Sequence, residues 1–203
     1  MAIYINCEQG ESEWFKSRLG IPTSSNFKKI ITIKGTKSTQ RWDYIYQLAS
    51  ERVTGEIYGG FYSEDMERGK IQEEEARGAY EFETDTDVKL IGCVYKDDSR
   101  QVLCSPDGLV SEDGGTEFKS ANQKLQVKRI HKPDTFISEH FQQVQGCLYV
   151  TGRKWWDLVS YSPMMKLLII RIEPDLEWFK LLERELEIFL NDLKEAVEAY
   201  ERH

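Results

Sequence analysis

Residues 104–120 read CSPDGLVSEDGGTEFKS. Two runs with strand character, 109–110 and 116–120, flank a cluster of Ser, Glu, Asp and Gly, the residue types that close tight turns. On a strand, side chains at i and i+2 share a face, so Glu117 and Lys119 point one way while Phe118 points the other, into a core. Asp107, at the end of the preceding strand, reaches the same place across a turn expected at Gly114-Gly115. A surface hairpin has no need of two carboxylates and an ammonium converging on one spot. The stretch therefore reads as the polar centre of a sheet.

Working outward, the elements arrange themselves around that sheet. Residues 11–19 suit a short helix with Trp14, Phe15 and Arg18 at helical spacing, stopped by Gly20 and Pro22. Thr23 or Ser24 starts a second short helix through about 31, and a basic loop spans 33–38. A longer helix follows from Ser38 or Thr39 to Gly55, a good residue for a left-handed helix end. Ser63 opens another, through about 82. Strands are expected over 88–96, 101–105, 109–110 and 116–120. Helices are expected over 125–131 and 137–150, and strands again over 155–161 and 167–173. After Pro174, the residues Trp178, Leu182, Leu186, Phe189, Leu193 and Val197 form the apolar stripe of a C-terminal helix. The 203 residues suit one α/β domain, with a helical N-terminal part (11–82), a sheet-centred core (88–173) and a closing helix (175–203).

Composition narrows the function. No run approaches the length of a membrane span, and the N-terminus MAIYINCEQG lacks a basic-then-apolar signal, so the chain reads as soluble and intracellular. Cys7, Cys93, Cys104 and Cys147 are widely spaced, as expected of reduced thiols rather than a zinc site. His131, His140 and His203 form no ligand pair, so any metal here is held by carboxylates, which points to Mg²⁺ or Mn²⁺. Net charge is −8, yet two stretches contain no acid at all. Residues 14–42 hold Lys16, Arg18, Lys28, Lys29, Lys34, Lys37 and Arg41; residues 118–133 hold Lys119, Lys124, Lys128, Arg129 and Lys132. In so acidic a chain, these segments point to a phosphate-binding surface.

Metal-assisted phosphodiester cleavage needs carboxylates for one or two Mg²⁺ ions, a group to position water, and something to neutralise developing charge. Asp107, Glu117 and Lys119 supply that set, although Lys119 reads equally well as a salt-bridge partner. The spacing Pro-Asp, then Glu-x-Lys, is the PD-(D/E)xK nuclease pattern. It is short, and Pro174-Asp175 with Asp192-Leu-Lys194 also satisfies it. That second instance falls on a helix, where Asp192 and Lys194 face different ways.

Longer agreement exists with one family. Glu8-Gln9-Gly10, Trp14, Arg18-Leu19-Gly20 and Thr23-x-Ser25 are followed by Gly69-Lys70, Glu73 and Ala76-Arg77. Then come Cys104-Ser-Pro-Asp-Gly-Leu109, Glu117-Phe-Lys119, Gln143-Val-Gln145 with Tyr149-Val150, and Tyr161, Pro163 and Met165-Lys166. In this order the chain resembles the lambda exonuclease-like, YqaJ-type viral recombinase nucleases. The resemblance implies a restriction-endonuclease-like core, a central mixed sheet flanked by helices. It implies a Mg²⁺-dependent enzyme, with Mn²⁺ as substitute and two ions, that degrades the 5′-ended strand of duplex DNA. It also implies a homotrimeric ring, a single-strand annealing partner, and a phage or prophage protein acting in the bacterial cytoplasm.

Roles implied by the resemblance are specific. Asp107, Glu117 and the Phe118 carbonyl are implied as metal ligands, with Glu73 completing the shell. Lys119 and Gln143 are implied to position water. Arg18 and Ser25, with Lys34 and Lys37 on the basic loop, are implied to meet DNA and its terminal phosphate. Met66 falls where relatives carry a wedge that splits the last base pairs, and Glu74 and Glu75 read as solvated helix face. Two departures stand out: Ser120-Ala121 replaces the usual Cys-Pro after the lysine, and the loop with Lys34 and Lys37 lacks the family's arginine. Two other readings remain, a structure-selective endonuclease of the same fold and a catalytically silent DNA-end-binding scaffold.

Overall fold

The computed structural model describes residues 1–59 and 64–202, the side chains of 64–68 and 70 excepted. The chain opens with β1 (Ile3–Ile5), α1 (Ser12–Arg18), a 3-10 helix (Ser24–Lys29), α2 (Arg41–Thr54) and α3 (Glu64–Thr84). Five strands follow: β2 (Val88–Lys89), β3 (Cys93–Tyr95), β4 (Leu103–Cys104), β5 (Gly108–Val110) and β6 (Gly114–Ser120). Helices α4 (Gln123–His131) and α5 (Pro133–Thr151), strands β7 (Trp155–Tyr161) and β8 (Leu168–Ile172), and helix α6 (Leu176–Glu201) complete it.

The main sheet has the order β2-β5-β6-β7-β8. β6 and β7 run parallel, and β2–β5, β5–β6 and β7–β8 antiparallel. Parallel neighbours require a long crossover, which α4 and α5 provide. The sheet is therefore mixed and flanked by helices. A second, three-stranded sheet, β1-β3-β4, stands beside it.

The apolar stripe of α6 is buried as its spacing requires: Trp178, Leu182, Leu186, Phe189 and Leu193 pack with Ile45 and Leu48 of α2 and with Trp156 and Leu158 of β7. Asp175 caps α6, its Oδ1 accepting the Trp178 N–H at 2.9 Å. A smaller cluster of Ala76, Tyr80, Val88, Val110, Phe118 and Val159 seats α3 on the sheet. This cluster sets where α3 holds its acidic residues relative to β6.

Four sequence expectations need correction. The strand expected over 88–96 is two strands in two different sheets, because the chain turns through Leu90 to Gly92, whose N–H bonds the Ile5 carbonyl at 3.1 Å. Gly114 and Gly115 lie inside β6 instead of forming the turn, which closes at Ser111–Asp113. A Cβ at either glycine would run into the ring of Trp155 or Trp156 on β7, so the pair permits close strand packing. Strand β1 was not expected; three residues give too short an alternation, and pairing with β3 makes it a strand. Finally, two basic residues credited to a phosphate-binding surface are buried. Arg41 is fully buried and bonds Glu185 Oε2 at 2.6 Å, and Arg129 is 8% exposed beneath the end of β6.

Candidate active site

The pairing of β5 with β6 ends at Gly108↔Thr116, which leaves Asp107 beside Glu117 at the open end of the hairpin. Asp107 Oδ2 accepts the Phe118 N–H at 2.6 Å. The N–H and C=O of one strand residue point to the same edge, so the Phe118 carbonyl also faces Asp107. Phe118's ring points to the other face and meets Tyr80 edge-on, 5.8 Å between centroids. Glu117 is 1% exposed. Its Oε1 accepts from Lys119 Nζ at 2.6 Å and from Gln143 Nε2, on α5, also at 2.6 Å.

Glu117 Oε2 has no hydrogen-bond partner among the described residues. An unpaired buried acceptor costs about 1–3 kcal/mol, and a charged one more, so native proteins rarely leave one. The Asp107 carboxyl is penalised in another way: burial, then Glu117, then Glu73, push it well above the usual carboxylate range. A divalent cation bound between them would relieve both. Among the described residues, no three His, Cys, Asp or Glu side chains converge at ligand distance. The oxygen donors are Asp107, Glu117 and the Phe118 carbonyl, a hard set suited to Mg²⁺ or Mn²⁺. Glu73 on α3 is half-buried and near enough to act on Asp107 through its charge, whereas Glu74 and Glu75 are exposed, as their reading as solvated face requires. Burial disfavours the Lys119 ammonium, but Glu117 and Asp107 outweigh it and hold its pKa above the ordinary lysine value.

The N-terminal residues brace the turn that carries Asp107. Gln9 Nε2 donates to the Pro106 carbonyl at 2.7 Å and the Ile91 carbonyl at 3.0 Å. Trp14 Nε1 and Arg18 Nη1 both donate to Ser105 Oγ, at 3.0 and 2.7 Å, and the Arg18 guanidinium lies 4.3 Å over the Trp14 ring. At the same, C-terminal end of β6, Arg129 Nη1 donates to the Lys119 carbonyl at 3.1 Å and to Ser160 Oγ at 2.9 Å. Ser105 and Arg129 were missed as site residues. Ser105 stands two places before Asp107, which was the available signal; nothing in the sequence marks Arg129 as turned inward.

A cavity of about 170 Å³ adjoins the site, lined by Ser25, Lys28, Lys119, Glu139, His140, Gln142 and Gln143. Ser25 is thus brought to the same space as Lys119 and Gln143. Lys28 and His140 were not singled out, although each lies three residues from a predicted site residue, one helical turn from Ser25 and Gln143. Lys34 and Lys37 are exposed on a loop whose Gly35 packs on Leu181, and Lys37 Nζ lies 5.4 Å over the Trp42 ring. They do not line the cavity. The side chain of Met66, expected as the wedge, lies outside the described residues. The second PD-(D/E)xK instance dissolves: Asp175 is a helix cap, Asp192 sits 3.6 Å from Arg41 Nε, and Lys194 pairs with Glu198 one turn on.

Comparison with known proteins bears on the family and the fold. The YqaJ-like viral recombinase domain matches residues 13–154. An alkaline exonuclease from Laribacter hongkongensis superposes with a TM-score of 0.81 at 31% identity, over 95% of this chain and 97% of that one. The same enzyme in complex with dAMP matches equally, with 0.81, 31%, 95% and 97%. A phage-related exonuclease from Haemophilus somnus 129PT shares the fold, with a TM-score of 0.63 at 12% identity over 89% of this chain and 96% of that one. No curated protein sequence matches. No helix among the described residues is long and apolar enough to cross a membrane. The match over most of the chain, on a fold that brings Asp107, Glu117, Lys119 and Gln143 together, places this protein in the YqaJ-like viral recombinase family, a family of nucleases.

Proposed function

We propose that the protein is a Mg²⁺-dependent exonuclease that degrades the 5′-ended strand of duplex DNA and leaves a 3′ single strand for recombination by annealing. The observation that carries the reading is the buried Glu117 carboxylate next to Asp107, with one oxygen held by Lys119 and Gln143 and the other without a hydrogen-bond partner among the described residues. Asp107, Glu117 and the Phe118 carbonyl would hold the metal, with Glu73 adding charge. Bound there, Mg²⁺ supplies Lewis-acid polarisation of the phosphate and a lowered water pKa.

The chain's own residues do the rest. Lys119 Nζ stands against Glu117 Oε1, where it orients an attacking water and offsets negative charge on the phosphate as that charge grows. Gln143 locks the same carboxylate oxygen, which keeps Glu117 in one rotamer. Gln9, Trp14 and Arg18 hold the turn before Asp107, so the carboxylates are pre-positioned at little entropic cost during reaction. Arg18 and Ser25 are the proposed contacts to the 5′-phosphate at the DNA end. The family resemblance further supports a homotrimeric ring that threads the duplex, with a single-strand annealing protein as partner.

Duplexes labelled at either 5′ or 3′ end, incubated with and without Mg²⁺, test the reading. Early release of mononucleotides from the 5′ label, only with Mg²⁺, is the expected result. Cleavage of closed circular DNA would favour the endonuclease alternative, and binding of ends without cleavage the silent scaffold.

A further inference from the structure

Helices α3 and α5 approach the metal-ligand cluster from opposite faces of the main sheet. Alternation along β7 sends Trp156 and Leu158 to the side of α5, and Trp155, Asp157, Val159 and Tyr161 to the side of α3. Gln143 reaches Glu117 from α5, whereas Glu73 comes from α3, so its position depends on how α3 seats on the sheet. Two glycines, Gly69 and Gly78, interrupt α3, and a Cβ at either would meet nothing within 4 Å among the described residues. Glycine inside a helix costs about 0.5–1 kcal/mol relative to alanine. Contacts with the sheet, more than its own propensity, therefore hold α3 in place.

Glu73, Ala76 and Tyr80 follow one another at three and four residues and share one face of α3. Ala76 and Tyr80 are buried and Glu73 is half-buried. The apolar contacts beneath them are non-directional, and Ala76 offers only a methyl, so packing alone does not set how far α3 advances along the sheet. A buried hydrogen bond does. The Tyr80 hydroxyl donates to Asp157 Oδ2 at 2.7 Å, and Asp157 is 1% exposed. Arg171, on β8, holds that carboxylate from the other side, with Nε and Nη2 donating to Oδ1 and Oδ2 at 2.9 Å each. The Arg171 guanidinium is itself stacked 3.7 Å over the Trp155 ring. Burial, then Asp157, push the Tyr80 pKa up, so the hydroxyl remains a donor at physiological pH. Two other polar contacts of α3 bind it less firmly: Tyr161 reaches the exposed Glu75 at 3.4 Å, and Glu81 Oε1 accepts the N–H of Val88, only seven residues on, at 2.9 Å.

We infer that Tyr80, through its hydrogen bond to the Asp157–Arg171 pair, is a positioning residue for the metal centre: it fixes the register of α3 on the sheet and so holds Glu73 where its carboxylate completes the set begun by Asp107 and Glu117. This rests on the exonuclease reading above and adds residues that take no part in the chemistry. Tyr80 stands two helical turns, about 10 Å along the axis, beyond Glu73. A helix held at that point by a directional bond to a fixed carboxylate transmits the restraint along its length, and a helix held by apolar contact alone is free to slide. The Phe118 ring, edge-on to Tyr80, comes from the residue whose N–H bonds Asp107, so the same strand position meets both the lock and the metal ligands.

Calorimetric titration of Mn²⁺ into the DNA-free full chain reads the metal centre without requiring turnover. Tyr80→Phe keeps the ring against Phe118 and removes the hydroxyl; it should weaken Mn²⁺ about fivefold, below the ~10–100-fold typical of groups that contact a metal ligand directly. Glu73→Gln should weaken Mn²⁺ at least as much, and adding Tyr80→Phe to Glu73→Gln should cause no further loss, because the hydroxyl acts through that carboxylate. Asp157→Asn still offers the hydroxyl a hydrogen bond while losing the pair with Arg171, so it should lower Tm yet keep Mn²⁺ affinity within about twofold. In digestion assays Tyr80→Phe should raise the Mg²⁺ concentration needed for half-maximal rate. Circular dichroism checks the fold of each variant; if Tyr80→Phe does not fold, Asp157→Leu, which removes the same hydrogen bond, takes its place. Unchanged Mn²⁺ affinity in folded Tyr80→Phe would overturn the inference, as would losses that simply add in the double variant. Asp157→Asn weakening Mn²⁺ as much as Tyr80→Phe would overturn it too, since affinity would then follow stability and not the hydrogen bond. A wild type that shows this coupling but digests no DNA would sink the exonuclease reading and not the positioning role.

Discussion

Lys119→Ala tests the catalytic assignment most directly, and the structure sets two magnitudes for it. The first concerns stability. Lys119 Nζ is 2.6 Å from Glu117 Oε1, a separation at which unit charges attract by about 6 kcal/mol for an effective dielectric of ~20, before desolvation is subtracted. Removing one partner from a buried pair costs about 3–5 kcal/mol, because the other charge is left buried. The Lys119 side chain is 24% exposed, against 1% for Glu117, so water partly replaces it and about 3 kcal/mol is expected. For a chain of this length that lowers Tm by roughly 6–12 °C. The second magnitude concerns rate: loss of a positioned electrostatic group costs about 10²–10³-fold. Single-turnover digestion of a 5′-phosphorylated duplex at 25 °C, where the variant is still folded by circular dichroism, separates the two. Binding to the DNA end should persist, since Lys119 is assigned to the water and not to the terminal phosphate. A folded variant with more than half the wild-type rate would refute the assignment of Lys119 and leave it a salt-bridge partner.

Asp107→Ala should abolish heat of binding on titration with Mg²⁺ or Mn²⁺ as well as activity, while Asp192→Ala, 3.6 Å from Arg41, should digest DNA normally. Among the described residues, Arg41→Met leaves Glu185 with the exposed Arg184, at 3.3 Å, as its ion-pair partner; we expect a stability loss of about 3–5 kcal/mol by chemical denaturation, with unchanged specific activity in the absence of denaturant. Arg18→Ala should erase most of the preference for 5′-phosphorylated over 5′-hydroxyl ends at fixed salt, and an undiminished preference would reduce Arg18 to a brace for Ser105. The His140 pKa is lower in the folded than in the unfolded chain, so its contribution to stability is complete above the unfolded value of about 6.5 and is lost as pH falls toward about 3. His140→Gln should therefore flatten the decline of Tm between pH 6.5 and 4, and an unaltered decline would show that other groups drive it.

Local chemistry determined much of this protein before any tertiary contact is considered. Side chains alternate on a strand, so Glu117 and Lys119 had to share a face once 114–120 was extended, and the same rule sent Phe118 to Tyr80. Helical periodicity likewise committed Trp178 through Leu193 to the core, and placed Asp192 and Lys194 on different sides of α6. These are statements about neighbours within a few residues, where covalent geometry alone sets the answer. The fates of Arg41, Arg129, Lys28 and His140 belong to a different order. An acid-free run shows where charge is concentrated along the chain, but not whether a given guanidinium points to solvent or into a buried pair. Arg41 found Glu185, 144 residues away, and Arg129 found the carbonyl of Lys119, while Lys28 and His140 met across a cavity that exists only when the 3-10 helix packs on α5. The two glycines of β6 were misplaced for the same reason. Gly-Gly favours a turn in isolation, and only the approach of Trp155 and Trp156 on β7 makes the absence of side chains a requirement of the strand.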